Sequence, residues 1–312
     1  MLYPSHSFNL ENLHTAAEGP LLAAARRVDG VQAVVVRPHV DRRAGIFRVP
    51  QLAFGHTPRF LDVGHFVGSL ALGQEPIRID RFMPIVNRGI DPWVPGAGVK
   101  LTIPGAHILP DGPREGLLLN LADQRLYIFN VEDGSVESAP IGIGKSAWGT
   151  PTGRTKVVRK RVNPTWYVPK SVREEDPELP AVVRPGPFNP LGYHAIDLGW
   201  PSYLLHGTNQ PYGVGRRVSH GCVRLYPEDI AWLFVRIPVG LPVTVVNQEV
   251  KLAWVGSTLM METHPSQEQA DELEADGKFA PAKPAKFEYH ILDAAGAHAT
   301  RIDWNTVARA LD

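Results

Sequence analysis

The stretch LLHGTNQPYGVGRRVSHGCVRLYPEDI, residues 204–230, holds the single cysteine of the chain, Cys222, with His220 just before it and His206 further upstream. On its N-terminal side the β-like run SYLLHG (202–207) ends at His206. On its C-terminal side a helix opens over PEDIAWLFVRI (227–237). Pro227 takes the first helical position, where its missing N–H costs nothing, and Glu228 and Asp229 face the positive end of the helix dipole. Ile230, Leu233, Phe234 and Ile237 recur at helical spacing, so this helix packs one apolar face on a sheet. Strand, glycine-rich loop and helix thus frame the thiol.

The flanking sequence reads as β structure. LLLNL and RLYIF, separated by the polar ADQ, form a hairpin from residue 117. Further runs follow at 136–144, 155–162, 193–198 and 241–246. Many short strands between Gly/Pro turns predict a mainly β sandwich or barrel rather than a parallel α/β sheet. Five prolines within 85–116 read as turns leading into this domain, so its start is set near Asp111. Before it, residues 1–110 offer a short helix over 16–28 and the β-branched run VQAVVV (31–36). After Asn247 come a hairpin-like KLAWVGSTLMMETHP (251–265), an acidic Ala-rich stretch and a final helix. The expected organisation is therefore 1–110, 111–247 and a C-terminal appendage, 248–312, with no internal repeat.

Composition excludes several classes. The 312 residues are 44% apolar and 21% charged with 29 Gly and 29 Pro, which suits a globular, loop-rich chain of two or three domains. Lys plus Arg and Asp plus Glu are 32 each, so no net field draws the protein to nucleic acid or to a membrane surface. One cysteine rules out an internal disulfide and multi-cysteine metal sites. The N-terminus lacks a basic n-region, its apolar run Leu21–Ala25 is short for a signal peptide, and no segment has the length of a transmembrane helix.

A thiol becomes a nucleophile as thiolate, so it needs a base or a cation beside it. A strand end followed by a long Gly-rich loop brings His206 back against Cys222. His220 lies on the same side of an extended backbone as Cys222. Gly221 permits close approach of a substrate, and the N–H groups of Gly221 and Cys222 are natural oxyanion donors. Other readings stand beside this one. Cys222 is a small buried hydrophobe in the plainest case; H-x13-H-x-C is a zinc set only if a fourth ligand exists; His194 is a strand histidine; and Arg216, Arg217 and Arg224 are solvated unless a carboxylate engages them.

HGTNQPYGVGRRVSHGCVRLYPEDI resembles the signature of the L,D-transpeptidase catalytic domain, or YkuD domain: His, about fourteen residues, Ser/Thr-His-Gly-Cys, a hydrophobic residue, then Asn or Arg. Its elements stand here as His206, Ser219, His220, Gly221, Cys222, Val223 and Arg224. IGIGKSAWGTPTGRTKVVRKRVNPTW (141–166) resembles the family's Gly-rich strand and T-P-x-G segment, and NPLGYHAIDLG (189–199) its following strand. The likeness covers roughly 113–247. IVNRGIDPWVPGAGVKLTIP (85–104), with the join LPDGPREG, is similar to the second half of a LysM module, placing a degenerate α+β LysM-like region at about 60–105.

The resemblance implies acyl transfer on peptidoglycan stem peptides without a cofactor or metal. Cys222 is the implied nucleophile, His206 the general base, Gly207 the donor of the carbonyl that orients it, and His220 a donor-positioning residue, with Gly221 N–H in the oxyanion site. Ser219, Arg224, Tyr212 and Arg217 form the expected substrate-binding set. The implied acceptor is a second stem, a lysine of an envelope lipoprotein, or water, and carbapenems are expected to acylate Cys222. Such substrates place the protein in the periplasm, whereas the missing signal peptide favours the cytoplasm. A wall-binding scaffold using the N-terminal module is the alternative function.

Overall fold

The computed structural model describes residues 107–130, 134–255, 257–276, 284 and 286–311; before them it assigns only backbone strand at Val34–Val35, Phe47–Val49, Val67–Ser69 and Lys100–Thr102. The expected helix over 16–28 falls outside the described residues, as does the LysM-like region apart from two of those short segments.

From residue 107 the architecture is mainly β. Eight strands from residue 117 on, together with Phe47–Val49 paired antiparallel at the edge beside β3, form one nine-stranded sheet: β1 (Leu117–Asn120), β2 (Arg125–Phe129), β3 (Val136–Pro140), β5 (Gly153–Val162), β8 (His194–Leu198), β9 (Leu204–His206), β11 (Val223–Arg224) and β12 (Pro242–Val246). Their order is β11-β9-β8-β5-β12-β1-β2-β3. β11 is parallel to β9 and β12 is parallel to β1, while the other neighbours run antiparallel.

The sheet curls. Just beyond β3 the Gly142 N–H donates to the Arg224 carbonyl at 2.8 Å, and the Arg224 N–H donates to the Gly142 carbonyl at 2.9 Å. The far end of the sheet thus meets β11. Short strands β4 (Ile143–Gly144) and β10 (Arg217–Ser219) pair in parallel beside this closure. The expected run 136–144 is therefore two strands, broken where Gly142 changes partner.

The curl encloses a core of Leu117, Leu119, Leu126, Val157, Ile196, Leu205, Val223, Val243 and Val245, with Ile230 and Leu233 supplied by helix α2 (Pro227–Arg236) and Ile237 just after it. The helical spacing read from the sequence is the spacing that buries these side chains. Phe234 packs at the edge, with Lys160 Nζ 4.6 Å from its ring centroid. β1 is buried at every position because Leu118 packs on the opposite face with Leu109, Tyr127, Phe129 and Val136. Truncating any of these core leucines to alanine is expected to cost about 2–5 kcal/mol.

One insertion escaped the sequence reading. Between β5 and β8 lie β6 (Trp166–Tyr167), helix α1 (Lys170–Glu175) and β7 (Val182–Val183), with β6 and β7 paired antiparallel. The catalytic region therefore carries α1 besides the one helix expected after the cysteine loop. In the appendage, β13 (Val250–Val255) and β14 (Thr258–Thr263) form the expected hairpin, and the acidic stretch becomes helix α3 (Gln267–Asp276). Helices α4 (Phe287–Ala295) and α5 (Trp304–Leu311) follow, burying Phe287, Ile291, Ala295 and Val307 against Leu259 and Met261 of β14.

The appendage is joined to the sheet by buried charge. Lys251 Nζ lies 2.7 Å from Asp123 Oδ2 and 3.0 Å from Glu262 Oε1. Tyr127 Oη donates to Asp123 at 2.7 Å, His107 Nδ1 lies 2.9 Å from Glu262, and the Ile108 N–H donates to Glu262 at 2.6 Å. Asp123, Glu262 and His264 converge as metal ligands would, and the Lys251 ammonium occupies the position beside them where a cation is wanted. Among the described residues no helix is long and apolar enough to cross a membrane.

Candidate active site

β9 and β11 are parallel neighbours with Leu205 opposite Val223 and His206 opposite Arg224. Leu205 and Val223 point into the core. Side chains alternate along a strand, so His206, Cys222 and Arg224 share the other face. The loop between them doubles back through a 3-10 turn at Pro211–Gly213 and through β10, which brings the lone thiol to the strand that ends in the histidine.

His206 is buried, and its Nδ1 lies 2.5 Å from the Gly207 carbonyl. A carbonyl oxygen only accepts, so in the neutral ring Nδ1 carries the proton and Nε2 is the acceptor nitrogen; the Pro190 backbone also hydrogen-bonds the imidazole. Burial, followed by the Arg224 charge, brings the imidazole pKa down to about 3, against the opposing pull of the Gly207 carbonyl. The ring is therefore neutral at physiological pH, the form in which it accepts a proton.

The Cys222 thiol donates to the Ser202 carbonyl at 3.4 Å. Burial pushes it above its ordinary range, and the Leu204 backbone and the Arg224 charge, which favour thiolate, do not overcome this. The resting pair is thus thiol and neutral imidazole rather than an ion pair. Ser202 itself sits at φ 69°, a left-handed conformation that costs a residue with a Cβ about 1–2 kcal/mol. That turn sets the carbonyl under the sulfur.

Two glycines are required by space. Gly221 has φ +96°, and a Cβ there would lie 2.7 Å from Tyr203 Cε1. At Gly144 a Cβ would lie 2.0 Å from the Trp148 carbonyl and 2.9 Å from Gly221 Cα, so β4 passes directly against the cysteine loop. Ser219 closes that loop on itself, its hydroxyl donating to the Cys222 carbonyl at 2.5 Å.

Arg224 carries a mostly buried guanidinium whose Nε has no hydrogen-bond partner, beside Cys222 and Tyr212. Burial lowers its pKa, as expected of a cation held without a carboxylate. Tyr212 is half exposed on the 211–213 turn. Arg217 departs from the expected substrate set. Its side chain is buried and its donors go to Gly144, Gln267 and Asp271, so the structure gives it a framework role instead.

Two neighbours were not singled out in the sequence. Glu175, at the end of α1, lies 2.9 Å from His220 Nε2, 2.6 Å from Lys145 Nζ and 2.5 Å from Trp148 Nε1. These three donors, Lys145 first, hold its carboxyl at about 2. Trp148 also flanks the His220 ring, with centroids 5.8 Å apart. Thr150, from the T-P-x-G segment, accepts from the Gly144 N–H at 3.0 Å and donates to the Gly221 carbonyl at 2.9 Å. It ties β4 to the loop that bears Cys222. No sequence spacing pairs Glu175 with His220, whereas Thr150 lay inside a motif already quoted.

Residues 114–245 match the L,D-transpeptidase catalytic domain family, YkuD. The chain is 44% identical over 196 residues to the Escherichia coli (strain K12) protein named "Probable L,D-transpeptidase YcfS", covering 60% of this chain and 61% of that one. It is 41% identical over 199 residues to "Probable L,D-transpeptidase ErfK/SrfK" of the same organism, covering 62% and 64%. The chain thus spans less than two thirds of the length of these relatives. A Fuscovulum blasticum protein from the ATP synthase subunits region, whose name places it provisionally among L,D-transpeptidases, is 39% identical over 130 residues, 42% of this chain and 68% of that one. With a curled β sheet bearing cysteine and histidine on adjacent strands, and with relatives of this kind, the chain belongs to the YkuD family of L,D-transpeptidase catalytic domains.

Proposed function

We propose that this chain is a cysteine acyltransferase acting on peptidoglycan stem peptides. Cys222 Sγ adds to the carbonyl of the diaminopimelate residue that precedes the terminal D-Ala of a tetrapeptide stem, and the thiol proton passes to His206 Nε2. The tetrahedral oxyanion collapses, the C–N bond breaks, and the imidazolium returns the proton to the departing D-Ala amine. The thioester left on Cys222 is then attacked by an amine, whose surplus proton leaves through the same imidazole, and the thiol is regenerated.

The observation that carries this reading is the placement of His206: buried, neutral, its Nδ1 held by the Gly207 carbonyl, on the strand beside the one that Cys222 precedes. Gly207 is an uncharged orienter in a nucleophile–base–orienter chain. The N–H groups of Gly221 and Cys222 are assigned to the oxyanion. Arg224, short of an acceptor, suits a stem carboxylate with its forked donors, and Tyr212 borders the same space. His220 and Ser219 shape the donor side.

The acceptor is an amine of a second stem, giving a 3-3 crosslink, a lysine of an envelope lipoprotein, or water. This substrate class places the working protein in the periplasm, with carbapenems as acylating inhibitors of Cys222. The reading is tested by intact-protein mass spectrometry after mixing wild type, Cys222→Ala and His206→Ala with a disaccharide tetrapeptide. A transient adduct and free D-Ala from wild type alone are expected. Folded wild type that gives neither overturns the reading.

A further inference from the structure

Arg217 opens β10, the strand that runs straight into Ser219, His220, Gly221 and Cys222. Only 4% of its side chain is exposed, and a buried guanidinium demands acceptors. They come from two directions. Nε donates to the Gly144 carbonyl on β4 at 3.4 Å. Nη1 donates to the Gln267 carbonyl at 2.5 Å and to Asp271 Oδ2 at 2.7 Å, both on α3 of the C-terminal appendage.

Helix α3 is itself held firmly. Ser266 and Gln269 form a reciprocal cap, the Gln269 N–H donating to Ser266 Oγ at 3.2 Å and the Ser266 N–H to Gln269 Oε1 at 2.9 Å. The hairpin before it is fixed to the sheet through Lys251, Asp123 and Glu262. α3 is therefore a rigid seat for the Arg217 charge.

We infer that Arg217 is a positioning residue for Cys222 and that the Asp271 carboxylate on α3, although it touches no reacting group, sets the height of the nucleophile's loop through it. The path to sulfur is short. The Lys145 N–H donates to the Ser219 carbonyl at 2.9 Å, the Ile143 N–H to the Arg216 carbonyl at 3.0 Å, and the Ser219 hydroxyl to the Cys222 carbonyl at 2.5 Å. A guanidinium deprived of Asp271 must turn toward another acceptor, and β10 moves with it. Acyl transfer is sensitive to such displacements, because an error of about 1 Å in placement costs on the order of a hundredfold in rate.

The activity part of the test rests on the acyltransferase reading, so a second readout is independent of it. Full-length wild type, Asp271→Ala, Asp271→Glu and Arg217→Lys are compared by thermal midpoint, by D-Ala release from a disaccharide tetrapeptide, and by the pH profile of Cys222 alkylation with iodoacetamide. Asp271→Ala is expected to melt near wild type, to lose about tenfold or more in kcat with little change in KM, and to shift the alkylation profile. Asp271→Glu should restore most of both. A folded Asp271→Ala with wild-type kcat and alkylation profile overturns the inference, as does equal loss in Asp271→Glu. If Asp271→Ala fails to fold, Arg217→Lys, whose ammonium cannot span all three acceptors, decides by the same readouts. If wild type releases no D-Ala, the acyltransferase reading falls and the alkylation profile alone decides this one.

Discussion

Replacing Lys251 with methionine tests the buried junction between sheet and appendage. The ammonium is fully buried and lies 2.7 Å from Asp123 and 3.0 Å from Glu262. Burial, the largest single influence, pushes both carboxyls up, yet Lys251 together with His264 at Asp123 and with His107 at Glu262 outweighs it, and both lie below the usual range. Methionine fills a similar volume but leaves two buried carboxylates without their cation, a change that costs about 3–5 kcal/mol. With a urea slope of about 2 kcal/mol per molar, the unfolding midpoint should fall by about 2 M. The pH dependence has a definite sign. In wild type the depressed carboxyls contribute stability that is present above the unfolded value near 4 and is lost as pH falls through the folded values. In the variant, burial is no longer offset and the carboxyls rise above that value, so the folded state gains protons before the unfolded one. The deficit is therefore greatest at neutral pH and narrows on acidification. The assay is urea titration followed by tryptophan fluorescence at pH values near 7 and 5. A loss under about 1 kcal/mol at neutral pH, or a deficit that widens in acid, would refute the reasoning.

Glu175→Ala should leave the melting temperature nearly unchanged, since the residue lies at the surface, yet lower kcat/KM for a tetrapeptide about tenfold by freeing His220 and Trp148; an unchanged rate would show that the contact is idle. Gly221→Ala should abolish D-Ala release, because φ +96° and the 2.7 Å approach to Tyr203 displace the loop, and steady-state turnover checks it. Alkylation of Cys222 by iodoacetamide should keep rising above the pH at which an ordinary thiol levels off, since burial raises this thiol; a plateau near neutrality would contradict a resting thiol. Buried His107 and His206, held down by burial to about 4 and about 3, should make stability fall as pH drops below about 6.5, read by thermal midpoints from neutral to mildly acidic pH.

Much of the fold was legible because it rests on local pattern. The hairpin across ADQ, the strand ending at His206 and the helix from Pro227 each carry a period or a punctuation that short sequence displays. Cys222, His206 and Gly207 could be singled out together because they share one motif, and the structure sets His206 beside the strand that Cys222 precedes, with the Gly207 carbonyl at its Nδ1. What stayed hidden depends on partners far apart. Glu175 reads as one acid in the polar SVREEDPE, and only the fold carries it to His220. Lys251, Asp123 and Glu262 look like ordinary surface charges, since no pattern in sequence marks a charge as buried. Arg217 was read as a substrate ligand because it lay beside the motif; its commitment to Asp271 depends on where the appendage packs.

Strand β12 lies between β5 and β1, although it is the last strand of the sheet in chain order. The middle of the sheet is thus supplied after every residue of the cysteine motif. During synthesis β1 and β5 emerge well before the strand that joins them, and until residues 242–246 arrive they have no common neighbour. A chain halted at the end of α2 has made Cys222 and His206 but lacks the strand that unites the two halves beneath them. Folding must then close a long-range pairing late, which favours slow, all-or-none acquisition of structure. Cys222 and His206 therefore lie in a sheet whose two halves are joined only after residues 242–246 have emerged, so a chain halted earlier carries the motif without the sheet that holds it.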